Sequence, residues 1–242
     1  MWSWFSCLGQ QRAARDPKVE QGVRDKLAAI APPAVDPFQR ATAAMDVSDY
    51  QAAIPLFQQV LQQAPSFTPA MRRWGASLAG SGQVEEGLSY CRSAVQIERS
   101  PENLSNLAGV LSYPAPNQRG SAAQMQEALP LAKEANHNYH DNDASYPLLV
   151  APLALNVEND KEFRHATEIL VKTHPELLAT HYFNAIGMAE DASWIAAEDE
   201  MRAAERLGLP ADKVETMLSA SGIHRHAMMQ RFWRYVPYVL GA

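Results

Sequence analysis

The chain has 242 residues and a mass of 26.7 kDa, enough to bury a sizeable core. It is 47% hydrophobic and 20% charged, with 12 glycines and 16 prolines, which excludes a collagen and a chain disordered throughout. The net charge of −6 argues against a nucleic-acid partner.

Residues 1–17 open with Met1-Trp2-Ser3-Trp4-Phe5-Ser6-Cys7-Leu8-Gly9, followed by Arg12 and Arg15. The stretch is too short for a secretory signal and has no positive charge ahead of its apolar part, so it reads as a disordered leader. Residues 18–36 read as a capping helix and proline-rich linker. Val19, Val23, Leu27 and Ile30 recur at three- and four-residue spacings, and Pro32-Pro33 ends the helix.

Residues 37–210 read as a series of helix hairpins. Tyr50-x-x-Ala53-Ile54-x-x-Phe57-x-x-Val60 precedes Pro65, and 34 residues on comes Val84-x-x-Gly87-Leu88-x-x-Cys91-x-x-Ala94. Trp74-Gly75-x-x-Leu78 lies upstream of the second of these, across the turn Gly80-Ser81-Gly82. Small and large apolar residues at such offsets share one helical face, where the small ones let a neighbouring helix approach closely. A third pair is expected from Glu102–Tyr113 and Ala128–Ala135, delayed by Pro114-Ala115-Pro116-Asn117. A fourth uses Leu153-Ala154 with Phe163, Ala166 and Leu170, and a fifth Tyr182, Ala185 and Met188 with Trp194, Ala197, Met201 and Ala204. Taking Ala53, Gly87, Ala128, Ala166 and Ala197 as equivalent gives intervals of 34, 41, 38 and 31 residues. Trp74, Phe57 and Trp194 are expected to fill interior niches. Residues 211–242 read as a capping or juxtamembrane helical segment. No useful run alternates at period two, so the expected class is all-α.

This pattern resembles the tetratricopeptide repeat (TPR), with Trp74-Gly75, Gly87 and Ala94, and Ala53, Phe57 and Pro65, standing at its large, small and closing positions. The resemblance implies a right-handed superhelical solenoid of about five hairpins, in which stacked neighbours bury one continuous core. It implies a concave groove lined by the first helix of each hairpin, with Phe38, Arg72, Asn106 and Tyr182 as groove-facing candidates for a peptide or protein partner. Arg72 offers a partner of a carboxylate and Asn106 a partner of a peptide backbone. The expected function is a non-catalytic interaction scaffold.

The chemistry for catalysis is thin. There is no nucleophile elbow, phosphate-cradling glycine loop or His-Glu-x-x-His motif, and no cofactor is expected. His137-x-x-His140 with Asp141 and Asp143 is read as a solvated helix end instead of a metal site, because spacing fixes no third ligand. Two cysteines, Cys7 and Cys91, are too few for a disulfide framework and fit a reducing, cytoplasmic setting. Cys91 is expected to be a small buried hydrophobe.

After Glu215 the chain carries Arg225, Arg231 and Arg234 and no acidic residue. The remaining 18 basic residues face 27 acidic ones. The order basic, aromatic, apolar assigns Arg231, Phe232, Trp233, Arg234, Tyr235 and Tyr238 to contact with a membrane surface. The apolar end is too short to span, and the chain as given has no run of 18 apolar residues. The layout resembles bacterial membrane proteins in which a cytoplasmic TPR region precedes membrane helices, some followed by a zinc peptidase. That gives the alternative: a regulatory or recruitment domain of a larger membrane protein.

Overall fold

The computed structural model describes residues 15–116, 118–136 and 144–240, without the side chains of Asn136, Ser145 and residues 232–240. Among these lie thirteen α-helices: α1 (Pro17–Ile30), α2 (Val35–Asp46), α3 (Tyr50–Gln63), α4 (Thr68–Gly80), α5 (Val84–Ile97), α6 (Pro101–Ser112), α7 (Ala122–Asn136), α8 (Ser145–Asn156), α9 (Asp160–Thr173), α10 (Leu178–Glu190), α11 (Trp194–Arg206), α12 (Ala211–Ala220) and α13 (Ile223–Leu240). They form two compact units, α1–α7 and α8–α13. Within them α2/α3, α4/α5, α6/α7, α8/α9 and α10/α11 pair as hairpins.

The sequence sets these hairpins through their ends. Asp49 and Asn159 cap α3 and α9, accepting from the backbone N–H of Ala52 at 3.1 Å and Glu162 at 3.2 Å. Ser121 and Gln124 form a reciprocal capping box on α7. Four of the five hairpins share one turn. The N–H of the residue before the second helix (Asp49, Gln83, Asn159, Ser193) donates to a carbonyl five residues back (Ala44, Leu78, Ala154, Met188) at 2.8–2.9 Å. The residue between takes a left-handed conformation, at φ 61° for Ser48, 99° for Gly82, 57° for Glu158 and 56° for Ala192. The third hairpin departs: the chain leaves α6, loops out through Ala115 and Gln118, and returns where Gly120 N–H donates to Ser112 O at 2.9 Å.

These caps correct the repeat register. Second helices follow Asp49, Gln83, Ser121, Asn159 and Ser193, at intervals of 34, 38, 38 and 34 residues. The residues equivalent to Ala53 and Gly87 are therefore Met125 and Phe163, both 1% exposed, and not Ala128 and Ala166. The small residue that set the expected register lies one helical turn later in these two repeats.

In the first unit the rings of Phe57 and Phe67 meet Phe38 edge-on at 6.1 and 5.6 Å. Gly87 and Gly75 mark a close helix crossing: a β-carbon on Gly87 would fall on the Gly75 carbonyl oxygen and 2.7 Å from the Ala79 nitrogen. In the second unit Phe163 and Phe183 meet edge-on at 6.2 Å. Of the three aromatic residues expected inside, Phe57 is fully buried, whereas Trp74 and Trp194 are half-buried. The Trp74 ring lies 4.1 Å from Tyr90 and packs on the rim of the core, and the Trp194 ring stacks 4.5 Å from His226.

Candidate functional site

In the first unit the first helices α2, α4 and α6 lie side by side. Phe38, Arg72 and Asn106 recur at 34-residue intervals along them, and the structure gives each a different environment. Phe38 is 1% exposed, enclosed by Phe57, Phe67 and the Arg73 guanidinium 4.8 Å over its ring. It offers no groove surface, a correction whose cause is that this position on α2 points at the next first helix. Tyr182, 3% exposed in the second unit, is corrected likewise: it packs edge-on to Phe183 at 5.4 Å, and burial pushes its hydroxyl up to about 12.

Arg72 and Asn106 are half-buried and linked through two further residues. Asn103, fully buried at the start of α6, donates from its amide nitrogen to the carbonyls of Glu98 at 2.8 Å and Ala94 at 3.3 Å, closing the end of α5. Its oxygen accepts from Arg72 Nη1 at 3.1 Å. The Cys91 thiol lies 3.3 Å from the Asn106 oxygen, and burial raises it to about 12, which suits an inert core thiol. Among the described residues no carboxylate lies within 4 Å of the Arg72 guanidinium. Burial pulls its pKa below the arginine value, and Glu102 and Glu20 oppose that at longer range. Thr68 hydrogen-bonds Glu98, which keeps this carboxylate occupied.

Beside it lies a second polar cluster. Arg73, 2% exposed, donates to Glu20 of α1 at 2.5 Å and to Thr42 at 2.9 Å, while its Nε has no partner among the described residues. Desolvation, with the nearby Arg15, lowers its pKa to about 10. Arg15 bonds Asp46 at 2.8 Å. Arg73 and Glu20 are not among the candidate residues the sequence offers. The signal was the pair Arg72-Arg73: adjacent helical residues point about 100° apart, so one of them had to turn toward the preceding repeat.

On the opposite side Arg92 reaches Glu127 at 2.9 Å and Arg99 reaches Glu134 at 2.6 Å, clasping α5 to α7. A cavity of about 390 Å³ with Val95, Leu107 and Leu131 in its wall lies between them.

In the second unit α13 lies along α11. Glu198, 6% exposed, accepts from His224 at 2.7 Å and Arg231 at 2.5 Å. Burial pushes the Glu198 carboxyl up, and these two hydrogen bonds more than offset it, so its pKa falls below the usual value. Arg231, assigned to a membrane surface, pairs with Glu198 while its side chain stays 43% exposed. Phe232, Trp233, Arg234, Tyr235 and Tyr238 lie outside the described residues as far as their side chains go, and His137, His140, Asp141 and Asp143 lie outside them entirely. Among the described residues no three His, Cys, Asp or Glu side chains are grouped to hold a metal, and no helix is long and apolar enough to cross a membrane.

Each unit is built of paired antiparallel helices, with the first helices side by side in the first unit, as in tetratricopeptide repeats, and comparison with solved structures agrees. PilF of Pseudomonas aeruginosa is 12% identical, with a TM-score of 0.66 over 88% of this chain and 94% of that one. A MamA of Desulfovibrio magneticus RS-1 is 13% identical, with a TM-score of 0.60 over 74% of this chain and 96% of that one. YrrB, described as a TPR protein with an unusual peptide-binding site, is 14% identical, with a TM-score of 0.59 over 81% and 97%. The fold is therefore an all-α TPR solenoid. No family model and no curated protein matches the sequence.

Proposed function

We propose that the chain is a non-catalytic scaffold that binds a peptide or protein partner on the face formed by α2, α4 and α6. The observation that carries this is Arg72: a half-buried guanidinium, held by a neutral amide and with no ion-pair partner among the described residues, beside Asn106. A guanidinium in that setting has lost water without gaining a counter-charge, so a partner carboxylate makes a charge-assisted bond there stronger than at an open surface. Asn106 stands ready for a peptide amide. The peptide site named for YrrB supports the same use of this fold. Peptides selected from a display library by the wild-type protein should be rich in Asp or Glu and lose at least tenfold in affinity on Arg72→Glu. Selected peptides that survive both Arg72→Glu and Asn106→Ala sink the assignment.

The membrane-linked alternative, a cytoplasmic regulatory domain preceding membrane helices with a zinc peptidase beyond, draws on Met228 and Met229, 56% and 49% exposed on α13 near Arg225. Flotation with anionic liposomes, with and without residues 223–242, decides it. Equal flotation of both proteins removes it.

A further inference from the structure

The N-terminal helix α1 packs against α2 and reaches across it to α4. Glu20 crosses to Arg73 of α4, Arg15 grips Asp46 at the end of α2, and Leu27 enters the core cluster that also holds Phe38. Arg15, Glu20 and Arg24 on one side and Phe38, Gln39, Thr42 and Asp46 on the other line a cavity of about 300 Å³ that this contact leaves unfilled.

The helix is lightly held. Leu27 alone among its fourteen residues is fully buried, Val23 is half-buried, and Val19 and Ile30 are 51% and 62% exposed. Segments with so few buried contacts open at a fraction of the free energy of global unfolding. The sequence that follows, Pro32-Pro33, forms a short 3₁₀ turn between Pro32 and Ala34 that joins α1 to the array. Departure of α1 strips Arg73 of Glu20, its ion-pair carboxylate, and a buried guanidinium without a counter-charge is strongly unfavourable. Whatever replaces α1 must therefore bring an acid to the same place.

We infer that α1 is a built-in ligand of this face, exchangeable for an external amphipathic helix of matching chemistry: a carboxylate at the place of Glu20, an aliphatic residue three positions later as at Val23, and another seven positions later as at Leu27. The inference rests on the first helices being the binding face, and α1 shows which class of partner that face takes: an acidic amphipathic helix read as i, i+3, i+7 anchors. While α1 is seated it competes with that partner, so measured affinity is reduced by the closed fraction.

The test uses the full chain and a fluorescein-labelled peptide of residues 16–31, read by anisotropy. Leu27→Ala, which loosens the resident helix, should bind the peptide at least tenfold tighter than the wild type. Adding Arg73→Leu should abolish that gain, and a peptide with Glu20→Gln should bind at least tenfold more weakly. In the wild-type chain, amide hydrogens of α1 should exchange at least tenfold faster than those of α3 and α4. A Leu27→Ala chain that keeps its circular dichroism and cooperative melting yet gains no affinity overturns the inference, as does wild-type α1 exchanging as slowly as α3. The α1 peptide reads Arg73 and the library-selected peptides read Arg72, so failure here and failure of the scaffold reading are separate results.

Discussion

Replacing Gly87 with alanine tests the helix crossing at the centre of the second hairpin. Alanine is the better helix former by about 1 kcal/mol, so propensity alone predicts stabilisation. The new methyl, however, would meet the Gly75 carbonyl oxygen and sit 2.7 Å from the Ala79 nitrogen, both backbone atoms that no rotamer change can move. Restoring ordinary contact with the nearer of the two, the Gly75 oxygen, means parting α4 and α5 by about 1 Å, which strips dispersion contacts along the whole crossing. Overpacking of this kind costs up to about 3 kcal/mol, which leaves a net loss of about 2 kcal/mol. Urea unfolding followed by circular dichroism at 222 nm measures it. The built-in control is Gly109→Ala on α6, where nothing lies within 4 Å of the added carbon, and stability should rise by about 0.5–1 kcal/mol. Equal or greater urea resistance in Gly87→Ala would refute the steric argument.

Three further outcomes follow from the described geometry. Glu158→Gly and Ala192→Gly, at φ 57° and 56°, should each gain about 0.5–1 kcal/mol in thermal melts, since glycine relieves the left-handed strain, whereas Gly82→Ala should lose a similar amount. Phe163→Ala removes a ring 1% exposed and in contact with Phe183, and should cost about 3–5 kcal/mol, read as earlier urea unfolding. The depressed Glu198 carboxyl contributes stability that is present above the ordinary carboxylate value of 4.5 and is lost as the pH falls through its lower folded value. Acid titration followed by tryptophan fluorescence should show this limb, through Trp194 stacked on His226 of α13, and Glu198→Gln should flatten it.

Much of this fold could be read from the residues themselves. Asp49 and Asn159 stand where the helical pattern begins, and Gly82 marks a turn any sequence reading finds. The register failed at Met125 and Phe163 because a close helix approach needs one small partner, and the sequence does not say on which helix it lies. In the second hairpin Gly87 and Gly75 both serve. In the fourth, Phe163 is large, and room for its ring is left by Gly187 of the next hairpin, on α10, where an added β-carbon would lie 3.9 Å from it. The candidate site was legible only in part. A spacing of 34 placed Phe38, Arg72 and Asn106 at one structural position, yet burial there depends on what the adjacent helix brings, and Phe38 meets two aromatic rings and a guanidinium. Nothing local to residues 17–30 says which side of α2 they cover. That is decided by Glu20 and Arg73, 53 residues apart in the chain.

The looped-out segment of the third hairpin has a practical use. Ser112 and Gly120 are stitched carbonyl to amide, so the excursion between them begins and ends at almost one point, and the capping box at Ser121 starts α7 afresh. Extra chain spliced in beside Pro116 or Gln118, both solvent-exposed, is paid out as slack and transmits no torsion to α6 or α7. An epitope, a fluorophore tag or a protease site grafted there gives a handle on the intact array.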